Sequence, residues 1–239
     1  MLLVGHATRL LAYLNGEPKV YEATIAFGSE TDTDDVTGVV TRSADLPETS
    51  RVLGAIPSLT GTLQQTPPAY SAKQVGGRRA YEAARRGEAL DLAPVTVTVH
   101  QWNVRSLTET HVDAVITCGG GTYIRALARD LGRLSGSAAH LATLRRTRSG
   151  GFDVREAVTL EELRGASVAI RPLLTAVAHL PTVGLSESEV LHVRQGRSVA
   201  AAETDAVHSA ALVDAAGALV AIAERAGPAW QPRVVMPDA

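Results

Sequence analysis

Three consecutive glycines, Gly119 to Gly121, separate two stretches whose apolar residues keep different periods. Before them Val112, Ala114, Ile116 and Cys118 recur at every second position, as on a strand with one buried face. After them Ile124, Leu127, Leu131 and Leu134 recur every three or four positions, as on a helix. An earlier stretch with Val95, Val97 and Val99 also alternates. Strands in succession followed by a sharp turn into a helix put both kinds of element in one domain.

The remaining elements are read in the same way. A strand fragment spans Leu2 to Val4, with a helix from about Thr8 to Leu14. In the strand Val20 to Phe27, Tyr21 shares a face with Ala23, Ile25 and Phe27. Gly28 to Gly38 is loop-like, and its aspartates lack the sixth-position glycine and terminal glutamate of the helix-flanked calcium loop. A helix follows Pro47, and the Pro- and Gly-punctuated loop Thr66 to Gly77 leads into another over Arg78 to Arg86. Beyond Pro172 short strands and turns prevail, with a hairpin over residues 210–223 and a last strand Arg233 to Met236. A domain boundary is placed near residue 178, giving 1–178 and a small β-rich module 179–239.

Composition excludes several classes. The single cysteine, Cys118, cannot form an internal disulfide, and no Cys/His cluster has zinc spacing, so a stapled secreted fold and a metal module are disfavoured. His6 and Arg9 interrupt the apolar N-terminal run, and no stretch reaches membrane-spanning length. The chain reads as cytoplasmic. Its net charge of −2 is unevenly distributed. Residues 1–69 carry 4 basic and 8 acidic side chains, residues 70–150 carry 12 and 6, and residues 151–239 carry 7 and 11. A basic island between acidic flanks is expected of a domain that presents one face to a polyanion.

Within that island the glycines before Tyr123 read either as a turn with permissive backbone or as an anion cradle at a helix start. No P-loop or dinucleotide fingerprint accompanies them. Tyr123 and Arg125 set an aromatic ring and a guanidinium just inside the helix. Arg125, Arg129 and Arg133 fall on one stripe at i, i+4 and i+8. Downstream Arg145, Arg146 and Arg148 form a cationic run, and upstream Tyr70, Lys73, Arg78 and Arg79 interleave an aromatic with cations. Such a run is either a solvated surface or a track for an RNA backbone, whose phosphates need many cations and whose bases stack on rings.

Five segments in order, Lys19-Val-Tyr21, Gly28-x-x-Thr31-Asp32-Thr33-x-Asp35-x-x-Gly38, Pro67-Pro-Ala-Tyr70-Ser71-Ala72-Lys73-x-x-Gly76, Gly121-Thr-Tyr-Ile-Arg125 with Ala128-x-Asp130-Leu131-Gly132, and Leu144-Arg145-Arg146, resemble bacterial TruB-type tRNA pseudouridine-55 synthases. The resemblance implies a pseudouridine synthase-like α+β catalytic domain with a mixed, largely antiparallel sheet and helices and, at the C-terminus, a PUA-like β domain. It implies isomerisation of a T-loop uridine of tRNA by a monomer without cofactor or metal, the base being flipped out of the loop. Tyr21 matches the tyrosine that stacks on the flipped base and takes part in proton removal, although by its strand position alone it reads as a core tyrosine. Arg125 matches the arginine that pairs with the catalytic aspartate. Tyr123 and Leu144 match pocket residues, and Tyr70 and Lys73 lie in the part that holds the T-loop.

One departure bears on activity. The family's nucleophilic aspartate sits in a G-H-x-G-x-L-D-P-x-A-T-G segment that residues 1–239 do not contain, and Met1 to Thr8 resembles the family stretch immediately C-terminal to that segment. Asp32, Asp34 and Asp35 belong to a different family segment. The expectation is therefore a chain that lacks the N-terminal segment, through a start assigned too late at an internal methionine, a true truncation or engineering, inactive as written and poorly stable, in which Arg125 lacks the carboxylate it is meant to hold. The rival reading is a non-catalytic tRNA-binding or RNA-folding protein. A phosphate-ester enzyme is a third reading, resting on the glycines alone.

Overall fold

The computed structural model describes residues 1–71, 74–75, 78–79, 81, 86, 92–165, 168–202 and 207–237, with the backbone alone at 74–75 and 78–79. They form two compact units, Gly16–Arg155 on the one hand, and Met1–Asn15 together with Glu156–Ala239 on the other.

The Gly16–Arg155 unit is built on strands β1 (Lys19–Phe27), β2 (Ser29–Thr31), β3 (Val40–Ser43), β4 (Gly61–Gln65), β5 (Gln74–Val75), β6 (Arg78–Arg79), β7 (Val95–Leu107), β8 (His111–Cys118), β9 (Ala139–Ser149) and β10 (Phe152–Asp153), with helices α1 (Thr49–Ala55) and α2 (Ile124–Leu134). Six strands form one sheet in the order β10-β9-β1-β8-β7-β4, every pair antiparallel. Alternation along β1 buries Ala23, Ile25 and Phe27, and Ala114 and Ile116 lie in register on β8. Helix α2 adds Ile124, Leu127, Ala128 and Leu131 to the same core, so it packs on the face of the sheet that Tyr21 shares. At the end of α2 the chain turns back so tightly that a Cβ on Gly132 would run into the Ala139 amide. At its start Gly121 adopts φ +79°, a left-handed backbone suited to glycine.

Two local expectations differ from what is found. Arg78–Arg79 pairs with Gln74–Val75 as a ribbon, where a helix was expected to begin. The rest of that expected helix lies largely outside the described residues. The arginine run after Leu144 belongs to β9, an 11-residue strand that its charges conceal in the sequence.

The second unit carries a five-stranded sheet, with β11 (Thr182–Gly184), β12 (Val199–Ala200), β13 (Ser209–Val213), β14 (Leu219–Ala226) and β15 (Ala229–Val235) in the order β11-β13-β14-β15-β12. The expected hairpin is β13 with β14, and β11 joins β13 in parallel. Helices α3 (Leu160–Arg164), α4 (Leu173–Ala176) and α5 (Glu187–Arg194) complete it. Residues 5–13 form a 3-10 helix whose Leu10 is fully buried with Val177, Ala211, Ile222 and Met236. Arg9 also donates to the Val235 carbonyl at 2.6 Å. The N-terminal 15 residues therefore belong to the C-terminal unit, which resumes at Glu156. A spacing argument along the chain cannot detect a segment that crosses to a distant core.

Candidate active site

The start of α2 is fixed from outside the helix. Tyr123, the residue before its first turn, donates its N–H to Gln65 Oε1 at 2.9 Å, and its carbonyl accepts from Gln65 Nε2 at 3.1 Å. Gln65 ends β4 and is 2% exposed, so both polar ends of a buried amide are satisfied by one backbone residue. Nothing in the sequence marked Gln65, because its partner is 58 positions away.

Two residues into the helix Arg125 is gripped by the loop and strand ends beside it. Its Nη1 donates to the Thr33 carbonyl at 3.2 Å and to Asp35 Oδ2 at 3.1 Å, and its Nη2 donates to the Tyr70 carbonyl at 3.0 Å. A guanidinium has five N–H donors, so Nε and one N–H of Nη2 have no partner among the described residues. The side chain is about a quarter exposed.

The Arg125 found here is thus not the arginine without a carboxylate that the sequence implied. Asp35, set aside as part of another segment, supplies one. Asp35 is itself committed. Its Oδ1 accepts from Thr33 Oγ1 at 2.8 Å, the Thr37 amide at 3.0 Å and Thr37 Oγ1 at 2.6 Å. Burial pushes its carboxyl up, but those hydrogen bonds and the Arg125 charge outweigh burial and hold it below the usual range. It is ionised at neutral pH, with one oxygen fully engaged, and so suits holding Arg125 better than attacking a sugar.

The other two arginines of the stripe also have partners in the Gly28 to Gly38 loop. Arg129, expected to face RNA, is 8% exposed and pairs through Nη1 with Asp34 Oδ2 at 2.8 Å. Its Nη2 donates to the Thr66 carbonyl and its Nε to Asp130. Arg133 pairs with Glu30 through two bonds of 2.9 and 2.7 Å. Arg42 meets the same glutamate at 2.6 Å. Arg125, Arg129 and Arg133 therefore zip α2 onto Asp35, Asp34 and Glu30. Helical periodicity correctly put them on one face but could not say that this face is covered by acids. Part of the charge segregation is explained here, the basic island answering the acidic flank internally.

On the strands, Tyr21 lies in register with Ile116 of β8 and Arg146 of β9, and Ala23 with Ala114 and Leu144. Tyr21 is half-buried against the core, and Leu144 on the same face remains 46% exposed. Burial raises the Tyr21 phenol, and the neighbouring Arg146 only partly offsets it, so the hydroxyl stays protonated at neutral pH. Arg145 pairs with Glu22, on the opposite face. Strand alternation thus divides the expected cationic track, with Arg146 on the side of Tyr21 and α2 and Arg145 behind, while a register shift between Val20 and Tyr21 sets Arg148 opposite Val20. Lys73 lies outside the described residues, as do the side chains of Arg78 and Arg79.

Two amides of the glycine run are engaged within the protein, that of Gly119 by the Thr98 carbonyl at 2.8 Å. The Gly120 amide is already taken by Glu17 Oε1 at 2.6 Å, a carboxylate of the same unit. Among the described residues no group of three His, Cys, Asp or Glu is placed to hold a metal ion, and no helix is long and apolar enough to cross a membrane.

The chain has known relatives. Residues 1–124 match the TruB family pseudouridylate synthase (N terminal domain), and residues 125–177 the tRNA pseudouridylate synthase B C-terminal domain. The tRNA pseudouridine synthase B of Thermobifida fusca (strain YX) is 42% identical over 97% of this chain and 82% of its own. That of Nitrobacter winogradskyi is 37% identical over 93% and 66%. That of Synechococcus elongatus is 44% identical over 83% and 69%. The chain thus spans about two thirds to four fifths of these relatives. Among solved structures, a crystal structure of a Cbf5-Nop10-Gar1 complex matches with a TM-score of 0.68 at 23% identity, over 98% of this chain and 71% of that one. An H/ACA RNP bound to a substrate RNA containing 2'-deoxyuridine matches with a TM-score of 0.67 at 22% identity, again over 98% and 71%. At such identities the likeness is one of fold.

Proposed function

The chain belongs to the TruB family of pseudouridylate synthases, and on that premise we propose that it serves the isomerisation of the T-loop uridine at position 55 of tRNA to pseudouridine. The observation that carries the reading is Arg125. Three acceptors fix its guanidinium at the start of α2, while Nε and one Nη2 N–H meet no acceptor among the described residues. A fixed cation with an open edge can hold a nucleophilic carboxylate ionised and aimed, without reorganising when charge moves.

Tyr21 then stacks on the extruded base, its protonated hydroxyl available as a donor, with Leu144 and Tyr123 closing the pocket around it. Tyr70, Lys73, Arg78 and Arg79 hold the T-arm, and Arg146 meets a phosphate or base beside Tyr21. Arg145 contacts RNA only where it wraps the other face of the sheet. The reaction requires no metal or cofactor, the protein acts as a cytoplasmic monomer, and the β-rich unit is PUA-like and adds RNA contacts.

On this reading the attacking carboxylate is neither Asp35 nor Asp34. Asp35 is engaged as described, and Asp34 is buried against Arg129. Residues 1–239 by themselves bind the T-arm without turnover, a behaviour shared with a non-catalytic RNA-binding protein. The test is tritium release from unmodified tRNA labelled at uridine C5. It compares residues 1–239 with the same chain extended at Met1 by a segment bearing G-H-x-G-x-L-D-P. Product at the T-loop from the extended chain alone supports the reading. No product from the extended chain overturns the assignment, and product from residues 1–239 overturns the account of the missing carboxylate.

A further inference from the structure

We propose that Gln65 is a positioning residue for the reaction, setting the start of α2 and through it the aim of Arg125 and the ring of Tyr123. This rests on the function proposed for the chain. Gln65 touches neither group that would meet the substrate, and none of the five family segments includes it.

Gln65 is 2% exposed at the end of β4, and its amide makes the two bonds to Tyr123 that a neighbouring strand would make, one to the N–H and one to the C=O. Tyr123 has an extended backbone, φ −98° and ψ 109°, and no side chain of its own caps the helix. Its carbonyl also takes the first helical bond, from the Leu127 amide at 3.1 Å. The direction in which α2 leaves the sheet is therefore fixed at Tyr123 by a residue of another element.

The chain just after Gln65 reinforces this hold. The Thr66 carbonyl takes Arg129 Nη2 at 2.9 Å, and the Tyr70 carbonyl takes Arg125 Nη2 at 3.0 Å. Those two acceptors meet flexible side chains. Gln65 alone in this segment grips the α2 backbone among the described contacts. A small rotation of the helix start would carry Arg125 away from Asp35 and from any acid on its open edge. Displacements of this kind at a distance from the chemistry cost about 100-fold in rate.

The chemistry of the amide gives a test that a merely structural residue would fail. A carboxylic acid in place of the amide can still donate one proton to the Tyr123 carbonyl and accept the Tyr123 N–H, whereas an ionised carboxylate turns a negative oxygen towards that carbonyl. Burial raises such a carboxyl, bringing its ionisation towards neutral pH. The charged groups around the contact are Arg125, Arg129 and Arg133, with Asp35, Asp34, Asp130 and Glu30 on them, Asp130 and Arg133 lining one cavity with Gln65. All but the introduced acid are present in both proteins, so comparison with the unmodified protein at each pH isolates the new group.

The experiment uses Gln65→Ala and Gln65→Glu in the extended, active chain and in residues 1–239. Gln65→Ala is expected to lower kcat by about 10- to 100-fold while the T-arm Kd moves by less than about 2-fold. Gln65→Glu is expected to resemble Gln65→Ala at about pH 8 and to recover to within about 3-fold of the unmodified enzyme at about pH 5. In residues 1–239 the Nη proton signals of Arg125, resolved while its guanidinium is held, should merge in Gln65→Ala while those of Arg133 stay resolved. Equal losses for Gln65→Glu at both pH values, unchanged turnover, or merging of the Arg133 signals together with those of Arg125 would overturn the proposal. Absence of product from the unmodified extended chain counts against the functional reading alone, because the Arg125 signals still decide the role of Gln65.

Discussion

Asp35 Oδ2 lies 3.1 Å from Arg125 Nη1, a contact that joins a loop to a helix start 90 residues further along the chain. Three hydrogen bonds on its other oxygen keep this carboxylate pointed at the arginine. Asp35→Asn preserves the shape but removes the charge. Turnover by the extended chain should fall by about 10- to 100-fold with T-arm affinity nearly unchanged, since the loss falls on aim and charge at the reacting centre. Steady-state kinetics beside a binding titration check this, and an affinity loss as large as the rate loss would contradict it.

Arg129 and Asp34 form a pair whose side chains are 10% and 9% exposed. Removing one partner of a buried pair leaves the other charge without compensation, at a cost of about 3–5 kcal/mol. Arg129→Met should therefore lower the denaturant midpoint markedly, and adding Asp34→Asn should recover part of the loss. A midpoint within experimental error of the unmodified protein would mean that the pair carries no stability.

The sequence disclosed elements better than partnerships. The alternation in β1, β7 and β8 and the helical period of α2 are local patterns, and each element formed where it was expected. The stripe of Arg125, Arg129 and Arg133 was equally legible as a stripe. What covers it was not, because Asp35, Asp34 and Glu30 come from a loop that reads by itself as polar and featureless. The same limit applies to Gln65 on Tyr123, to Glu17 on Gly120 and to Leu10 in the C-terminal core. Each is a contact between segments far apart in the chain, and periodicity carries no information about such distances. The arginines of β9 misled for another reason. Charges on both faces of a strand end hide the alternation that would have split Arg146 from Arg145.

Glu30 makes a prediction in acid. Burial would raise its carboxyl, but hydrogen bonds from Arg133 and Arg42 outweigh burial and hold it at about 2, against an ordinary 4.5. A depressed carboxylate stabilises the fold fully above its unfolded value and loses that contribution as pH falls through the folded one. Stability should thus decline between about pH 4.5 and about pH 2, and Glu30→Gln should flatten that part of the curve. Urea midpoints across this window read the effect, and an unaltered slope in the variant would count against it.

Tyr21 separates stacking from hydroxyl chemistry. Tyr21→Phe keeps the ring, so T-arm affinity should stay within about 3-fold while turnover drops by about 100-fold. Tyr21→Ala should weaken binding as well, by about 1–3 kcal/mol for a lost base stack. Affinity and turnover measured on both variants decide it. Equal affinities for the two would deny the stack.

The most direct measurement removes the guanidinium itself. With the extended chain and unmodified tRNA, Arg125→Ala should abolish pseudouridine at the T-loop while T-arm affinity falls by no more than about 3-fold. Pseudouridine formed at an undiminished rate by Arg125→Ala, or a variant that loses binding in step with turnover, would contradict the account of Arg125 as the held cation of a catalytic site.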